Sequence, residues 1–255
     1  MFCWPLLQIE LQLLKKRIGR KIIDAAIWTC STIAVSAFVL PALGVPESFG
    51  VFQAAGILAS IVSMDLYSNI FELLTDIEYT GHLQYLLTLP YSSFGIIATK
   101  VLIFALHGLI SAVVVFSIIC VILLNLMNFA GICFWKLILG TLISSLFFGW
   151  FSVFLTQRLR NTAELRSTQV RILFPLWYFG GFSFSWKIMF FKVSKFLGLL
   201  CLLNPYMYAT EISRCAILGA QDFLPFWVSA SALMLLTVLT AYFGFNGLKK
   251  RMDCA

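Results

Sequence analysis

Glu78–Pro90, EYTGHLQYLLTLP, lies between two long apolar runs where a membrane protein ordinarily needs only a polar turn. Its polar residues Glu78, Thr80, His82 and Gln84 occupy the first half, and Leu83, Leu86 and Leu87 follow before Pro90 closes it. The spacing predicts a short amphipathic helix. An apolar face spent on a connection predicts docking on another molecule. The flanking runs therefore read as spans of a membrane protein that works with a soluble partner.

Composition agrees. The chain has 255 residues, 61% hydrophobic and 11% charged, and a mean hydropathy of +0.95. Soluble domains carry about 25% charged residues, so lipid rather than water must solvate much of this chain. The fold class expected is an all-α polytopic membrane protein in a single transmembrane domain, residues 1–255. Six spans are predicted near Ile22–Leu43, Val51–Leu73, Ile96–Leu124, Phe134–Leu155, Ile172–Phe191 and Phe223–Leu248. Gly180, Gly181 and Lys187 interrupt the fifth. No cleavable leader is evident, because no small-residue site follows the first apolar run.

Lys and Arg set the expected orientation. Lys15, Lys16, Arg17, Arg20 and Lys21, then Lys100, then Arg158, Arg160, Arg166 and Arg171, then Lys249, Lys250 and Arg251 fall on alternate connections. The other side holds only Lys136, Lys187, Lys192, Lys195 and Arg214. Both termini are therefore expected in the cytoplasm, with the chain multi-pass in the cell (inner) membrane. This topological signal accounts for most of the net charge of +7, and no nucleic-acid partner is needed to explain it.

Before the first span, Leu7, Leu11, Leu14, Ile18 and Ile22 recur at helical spacing with Lys15, Lys16, Arg20 and Lys21 off the stripe. Residues 1–21 thus read as an amphipathic interfacial helix, 22–248 as the bundle and 249–255 as a tail. On the outer side, residues 192–222 are apolar but broken by Asn204, Pro205, Glu211 and Arg214. That pattern predicts two short re-entrant helices turning at Asn204-Pro205. Glu211 and Arg214, three apart, share a face and can pair.

Several polar residues lie inside predicted spans, where they are costly unless they face protein or water. Asp65 and Asn69 share a face of the second span, and His107 and Ser111 share one of the third. They read either as a substrate path or dimer interface, or as an interhelical hydrogen bond such as His107 to Asp65. Trp177, Tyr178 and Phe182 belong to an aromatic cluster denser than an interfacial belt requires, suited to sugars or to greasy molecules alike. The seven cysteines (3, 30, 120, 133, 201, 215 and 254) show no metal spacing, and a Cys201–Cys215 disulfide stays open.

Taken in order along the chain, these residues resemble a family. EYTGHLQYLLTLPYSSFGIIATKVL (Glu78–Leu102) looks like the loop after the second span of a type-2 ABC transporter permease. LNPYMYATEISRCAILG (Leu203–Gly219) is similar to the signature before its last span. The basic amphipathic N-terminus and the span count match as well. Gln84 and Tyr79 depart from the acidic and basic residues common there, and GGFSFSWKIM (Gly180–Met189) lacks the usual prolines.

The resemblance implies an ATP-driven exporter whose permease forms the substrate path as a dimer, as a homodimer or with a related permease. Two copies of a separate ABC ATPase would dock on coupling helices. It places Glu78, Thr80, Gly81, Leu83, Leu86 and Leu87 at that contact, with Gly81 allowing close backbone approach. Leu83→Asp and Leu86→Asp would then uncouple the pump and spare the fold. Arg158, Arg160, Glu164 and Arg166 read as a solvated loop or a second contact, and Asn204, Pro205, Glu211 and Arg214 as an outer gate. No GxxxxGK[ST] loop occurs, so the chain is not itself an enzyme. No cofactor or metal is expected in it, and ATP and Mg would bind the partner. The cargo implied is a lipid, a lipid-linked glycan or a hydrophobic drug-like molecule. Two other classes remain: a non-catalytic assembly or immunity subunit, and an integral-membrane transferase, for which two histidines are few.

Overall fold

The computed structural model describes residues 4–127 and 129–253. Cys3 and Cys254 fall outside them, as do the outermost residues of the expected interfacial helix and tail. The chain's only regular secondary structure among the described residues is helical, with no strand. Its long elements are α1 (Trp4–Ala42), α2 (Ser48–Thr80), α4 (Ser93–Ile122), α5 (Phe134–Thr156) and α10 (Phe226–Asp253). These five, among the described residues, are long and apolar enough to cross a membrane. Between them lie α3 (His82–Thr88), α6 (162–178), α7 (186–193), α8 (Lys195–Cys201) and α9 (Pro205–Ile217).

The hub is α2. Of its most apolar window 78% is buried, and it packs on α1, α4, α5 and α9. The peripheral helices keep large apolar residues outward, among them Ile27, Val113, Val121 and Leu235. That arrangement suits lipid, which solvates apolar side chains but not backbone polar groups.

The structure departs from the sequence reading at two spans. No break separates the N-terminal amphipathic segment from the first span: α1 is one helix of 39 residues, or about 58 Å at 1.5 Å per residue, well beyond a hydrocarbon core of about 30 Å. Its stripe residues Leu7 and Leu14 are buried in the protein, and α1 packs along α4.

The fifth predicted span is likewise not one helix. Pro175 has no N–H to offer the carbonyl of residue 171, and residues 169–173 form a π-turn. The helix then ends at Tyr178, and 179–185 are non-helical. Gly181 has φ +80°, and a Cβ on Gly180 would meet Tyr206 Cβ at 2.3 Å. The two glycines let the chain turn back against α9.

The expected pair of short helices is present as α8 and α9. Asn204 caps α9 by accepting from Tyr206 N–H at 3.0 Å. Cys201 and Cys215 are both free, which removes the disulfide left open above.

A side chain at either glycine of the 180–181 turn will be resisted. Gly180→Val and Gly181→Ala are each expected to destabilise the protein by about 1–3 kcal/mol, read as a lower midpoint of thermal unfolding in mild detergent.

Candidate functional site

At one end of the bundle α2 winds into a π-turn over Asp76–Thr80 and stops at Gly81. The Thr80 hydroxyl hydrogen-bonds the Asp76 side chain beneath it. Gly81 sits at φ +61°, the left-handed region that a Cβ disfavours, so α3 leaves at a new angle. A Cβ at Gly81 would meet only the Gln84 side chain. Its glycine therefore answers to backbone conformation rather than to a close approach.

The helix expected from the quoted stretch is there, with its apolar face turned inward. Leu83 is fully buried and Leu86 nearly so, packed with Leu6, Leu73, Ile97 and Trp150. These two leucines hold the segment on the bundle, and Leu87 is half-buried. Aspartate at Leu83 would bury an unpaired charge and break the fold rather than spare it. The outward face is Tyr79 (75% exposed), His82, Tyr85 (62% exposed) and Thr88. The sequence reading passed over this face; its signal was the three-residue spacing complementary to Leu83 and Leu86.

Glu78 is also used internally. Its carboxylate accepts from Thr162 N–H at 2.8 Å and from Thr162 Oγ1 at 3.0 Å. Thr162 is the first residue of α6, so Glu78 satisfies a free N–H of that helix and suits its dipole. Asn161 Oδ1 accepts from Glu164 N–H at 3.0 Å, and Glu164 Oε2 from Arg160 N–H at 2.9 Å. Glu164 is thus a cap within the second loop. The Arg251 guanidinium, from α10, donates to the carbonyls of Thr156 (2.9 Å), Leu159 (2.5 Å) and Arg160 (2.8 Å). The outward charges left here are Arg158, stacked at 5.5 Å on Phe154, with Arg160 and Arg166.

Paired charges hold α1 to this end. Lys100 meets Glu10 at 2.6 Å with both side chains buried, Glu72 lies at 3.8 Å, and Arg17 reaches Glu72 at 3.1 Å. Farther along, the Lys21 ammonium donates to Asp65 Oδ1 at 2.9 Å and to His107 Nδ1 at 3.0 Å. Lys21 therefore faces the bundle rather than lipid headgroups, and it mediates the expected Asp65–His107 contact. An ammonium only donates, so Nδ1 accepts and the ring proton is on Nε2. Asn69 is buried beside this cluster on α2.

The other path candidates form a separate place. Trp28, Tyr67, Gln169, Trp177, Tyr178 and Tyr206 line a cleft of about 400 Å³. Trp177 meets Trp28 edge-on at 6.1 Å and Phe182 at 4.5 Å. Phe182 is the buried backing of this wall.

At the opposite end Glu211 and Arg214 pair at 3.8 Å with no exposed side-chain surface. Glu211 accepts from Trp186 N–H (3.0 Å) and Leu224 N–H (2.8 Å). Arg214 donates to the carbonyls of Phe184 (2.8 Å) and Phe182 (2.9 Å) and lies 3.9 Å over the Phe52 ring. Asn204 donates to Leu176 O at 2.6 Å. Pro205 opens α9 as its first residue.

The sequence model of the family described as ABC-2 type transporter matches residues 6–218. The chain belongs to the ABC-2 type transporter family. A comparison with curated proteins gave no match. The chain is thus a transmembrane permease component of an ABC transporter rather than its ATPase, and the family implies pairing with an ABC ATPase subunit. Within this ABC-2 permease, the matched region takes in α1 through α9 and hence the paired charges, the Glu78–Thr162 contact, the aromatic cleft and the Glu211–Arg214 pair.

Two outcomes follow for the permease. Arg214→Gln leaves Glu211 as a buried, unneutralised carboxylate and is expected to cost about 3–5 kcal/mol, read as loss of a folded peak in size-exclusion chromatography. Glu78→Ala and Thr162→Val are each expected to cost about 1 kcal/mol and to be non-additive when combined. Hydrogen exchange across residues 162–168 measures this.

Proposed function

We propose that this permease is the membrane subunit of an ATP-driven exporter, forming the substrate path as a dimer with two copies of a separate ATPase. Both termini lie on the cytoplasmic side of the inner membrane, and ATP and Mg bind the partner. The observation that carries this reading is the turn at Gly81. Its leucines lock it to the bundle, while Tyr79, His82 and Tyr85 are left outward on the same end as Arg158, Arg160 and Arg166.

This arrangement suits a mechanical input. Closure of an ATPase pair pushes on Tyr79, His82 and Tyr85. Leu83 and Leu86 transmit the push to α4 and α5, and Glu78 carries it to the start of α6. That helix lines the aromatic cleft with Gln169, Trp177 and Tyr178, so the push reaches the wall of a path. Differential affinity of the ATPase for the two arrangements supplies the driving force. The cleft's aromatic faces suit a lipid, a lipid-linked glycan or a hydrophobic drug-like molecule. Glu211, Arg214, Asn204 and Pro205 brace the outer end of that path as its gate.

Co-purification in mild detergent tests the reading. An ABC-type ATPase is expected at near-stoichiometric yield with the tagged chain. Tyr79→Asp with Tyr85→Asp is expected to lower ATPase recovery at least tenfold while the permease elutes folded. Leu83→Asp is expected to abolish the folded peak itself. A folded permease that recovers no ATPase would favour an assembly role instead.

A further inference from the structure

Several cations of the bundle are satisfied by the chain itself. Lys21, Lys100 and Arg214 pair with carboxylates, and Arg251 with three carbonyls. Arg171 differs. Among the described residues no carboxylate lies within ion-pair distance of it, and its guanidinium makes no hydrogen bond. It does not belong to a loop, as its place in the sequence suggested. It sits on α6 about 13 Å along the helix from Thr162, inside the π-turn at 169–173.

Arg171 closes one end of a groove of about 470 Å³ between α6 and the outer helices. From there Ile172 and Pro175 run along one stripe of α6, with Phe179 just past its end, facing Leu197 and Leu200 of α8. Arg171 is the only charged residue in the lining. The lining's Asn204 is already committed, to Leu176 O and Tyr206 N–H. The groove thus joins a long apolar trough to a single guanidinium with no counter-charge. Left alone at the side of a membrane helix such a cation is costly, and a guanidinium matches phosphate oxygens in a bidentate fork.

We propose that this groove is a binding site for one bilayer phospholipid, its phosphate on Arg171 and one acyl chain lying along α6 toward Phe179. The site is separate from the aromatic cleft, which lies on α6's other flank against α1 and α2. It needs only that the chain is a membrane permease, whatever its cargo.

Native mass spectrometry of the purified full chain in mild detergent tests this with three probes: phosphatidylglycerol, diacylglycerol with the same chains, and glycerol phosphate. Wild type is expected to retain one phosphatidylglycerol per chain. Arg171→Gln and the groove-filling Leu200→Trp are each expected to weaken retention at least tenfold. Both positions are exposed, so the fold should survive. Arg160→Gln, an exposed charge elsewhere, should bind as wild type. Three results overturn the proposal. One is retention unchanged in Arg171→Gln, or lowered equally by Arg160→Gln. Another is diacylglycerol binding as tightly as phosphatidylglycerol. The last is displacement of the lipid by glycerol phosphate alone.

Discussion

A charge fully buried inside this bundle must be neutralised by another part of the same chain, and that requirement shapes the rest of the structure. Removing an ion from water costs several kcal/mol, which a single partner offsets only with good geometry and further hydrogen bonds. Glu211 and Arg214 satisfy it most fully. Four backbone groups, the N–H of Trp186 and Leu224 and the carbonyls of Phe182 and Phe184, complete the pair. The demand of two side chains for hydrogen bonds thereby sets the path of the 180–186 segment. A stretch with no regular structure is fixed by the charges it wraps. Glycines at 180 and 181 make the close approach sterically allowed.

The same rule operates at the other end with a different consequence. Lys100 between Glu10 and Glu72, and Lys21 between Asp65 and His107, bind α1 to α2 and α4 between Glu10 and Lys21. Lipid offers no hydrophobic drive between helices, so these contacts and close packing must supply the cohesion. The arrangement keeps α1 on the hub helix as a lever continuous from Trp4 to Ala42. Glu78 on Thr162 and Arg251 on the end of α5 extend the linkage to α6 and α10. The turn at Gly81 is therefore connected to most of the long helices through polar contacts and the leucines beneath it.

Much of this was readable from composition and period. Apolar runs marked α2, α4, α5 and α10 to within a few residues, apart from the extension of α2 to Thr80 and of α10 to Asp253. The i, i+3 spacing of Glu211 and Arg214 foretold their pairing, and Asn204-Pro205 marked the start of α9. What period could not convey was direction. Leu83 and Leu86 define an apolar face, yet the same face serves a partner or the chain's own core. Only Leu6, Leu73 and Trp150, distant in sequence, decide which. Lys21 is a similar case, since a basic residue beside an apolar stripe reads as a headgroup contact until Asp65 and His107 are placed next to it.

The sequence alone determined that this chain lies in a membrane, where four of its long helices run and that it resembles an ABC permease, because hydropathy and local spacing are properties of neighbours in the chain. The tertiary structure decided which cations are paired, that the fifth apolar run is broken, and which side of the Gly81 turn faces outward. Those outcomes depend on carboxylates, carbonyls and packing surfaces brought together from dozens of residues away. The cost of an unpaired charge buried among the helices makes that long-range pairing obligatory there, and no local pattern names the partner.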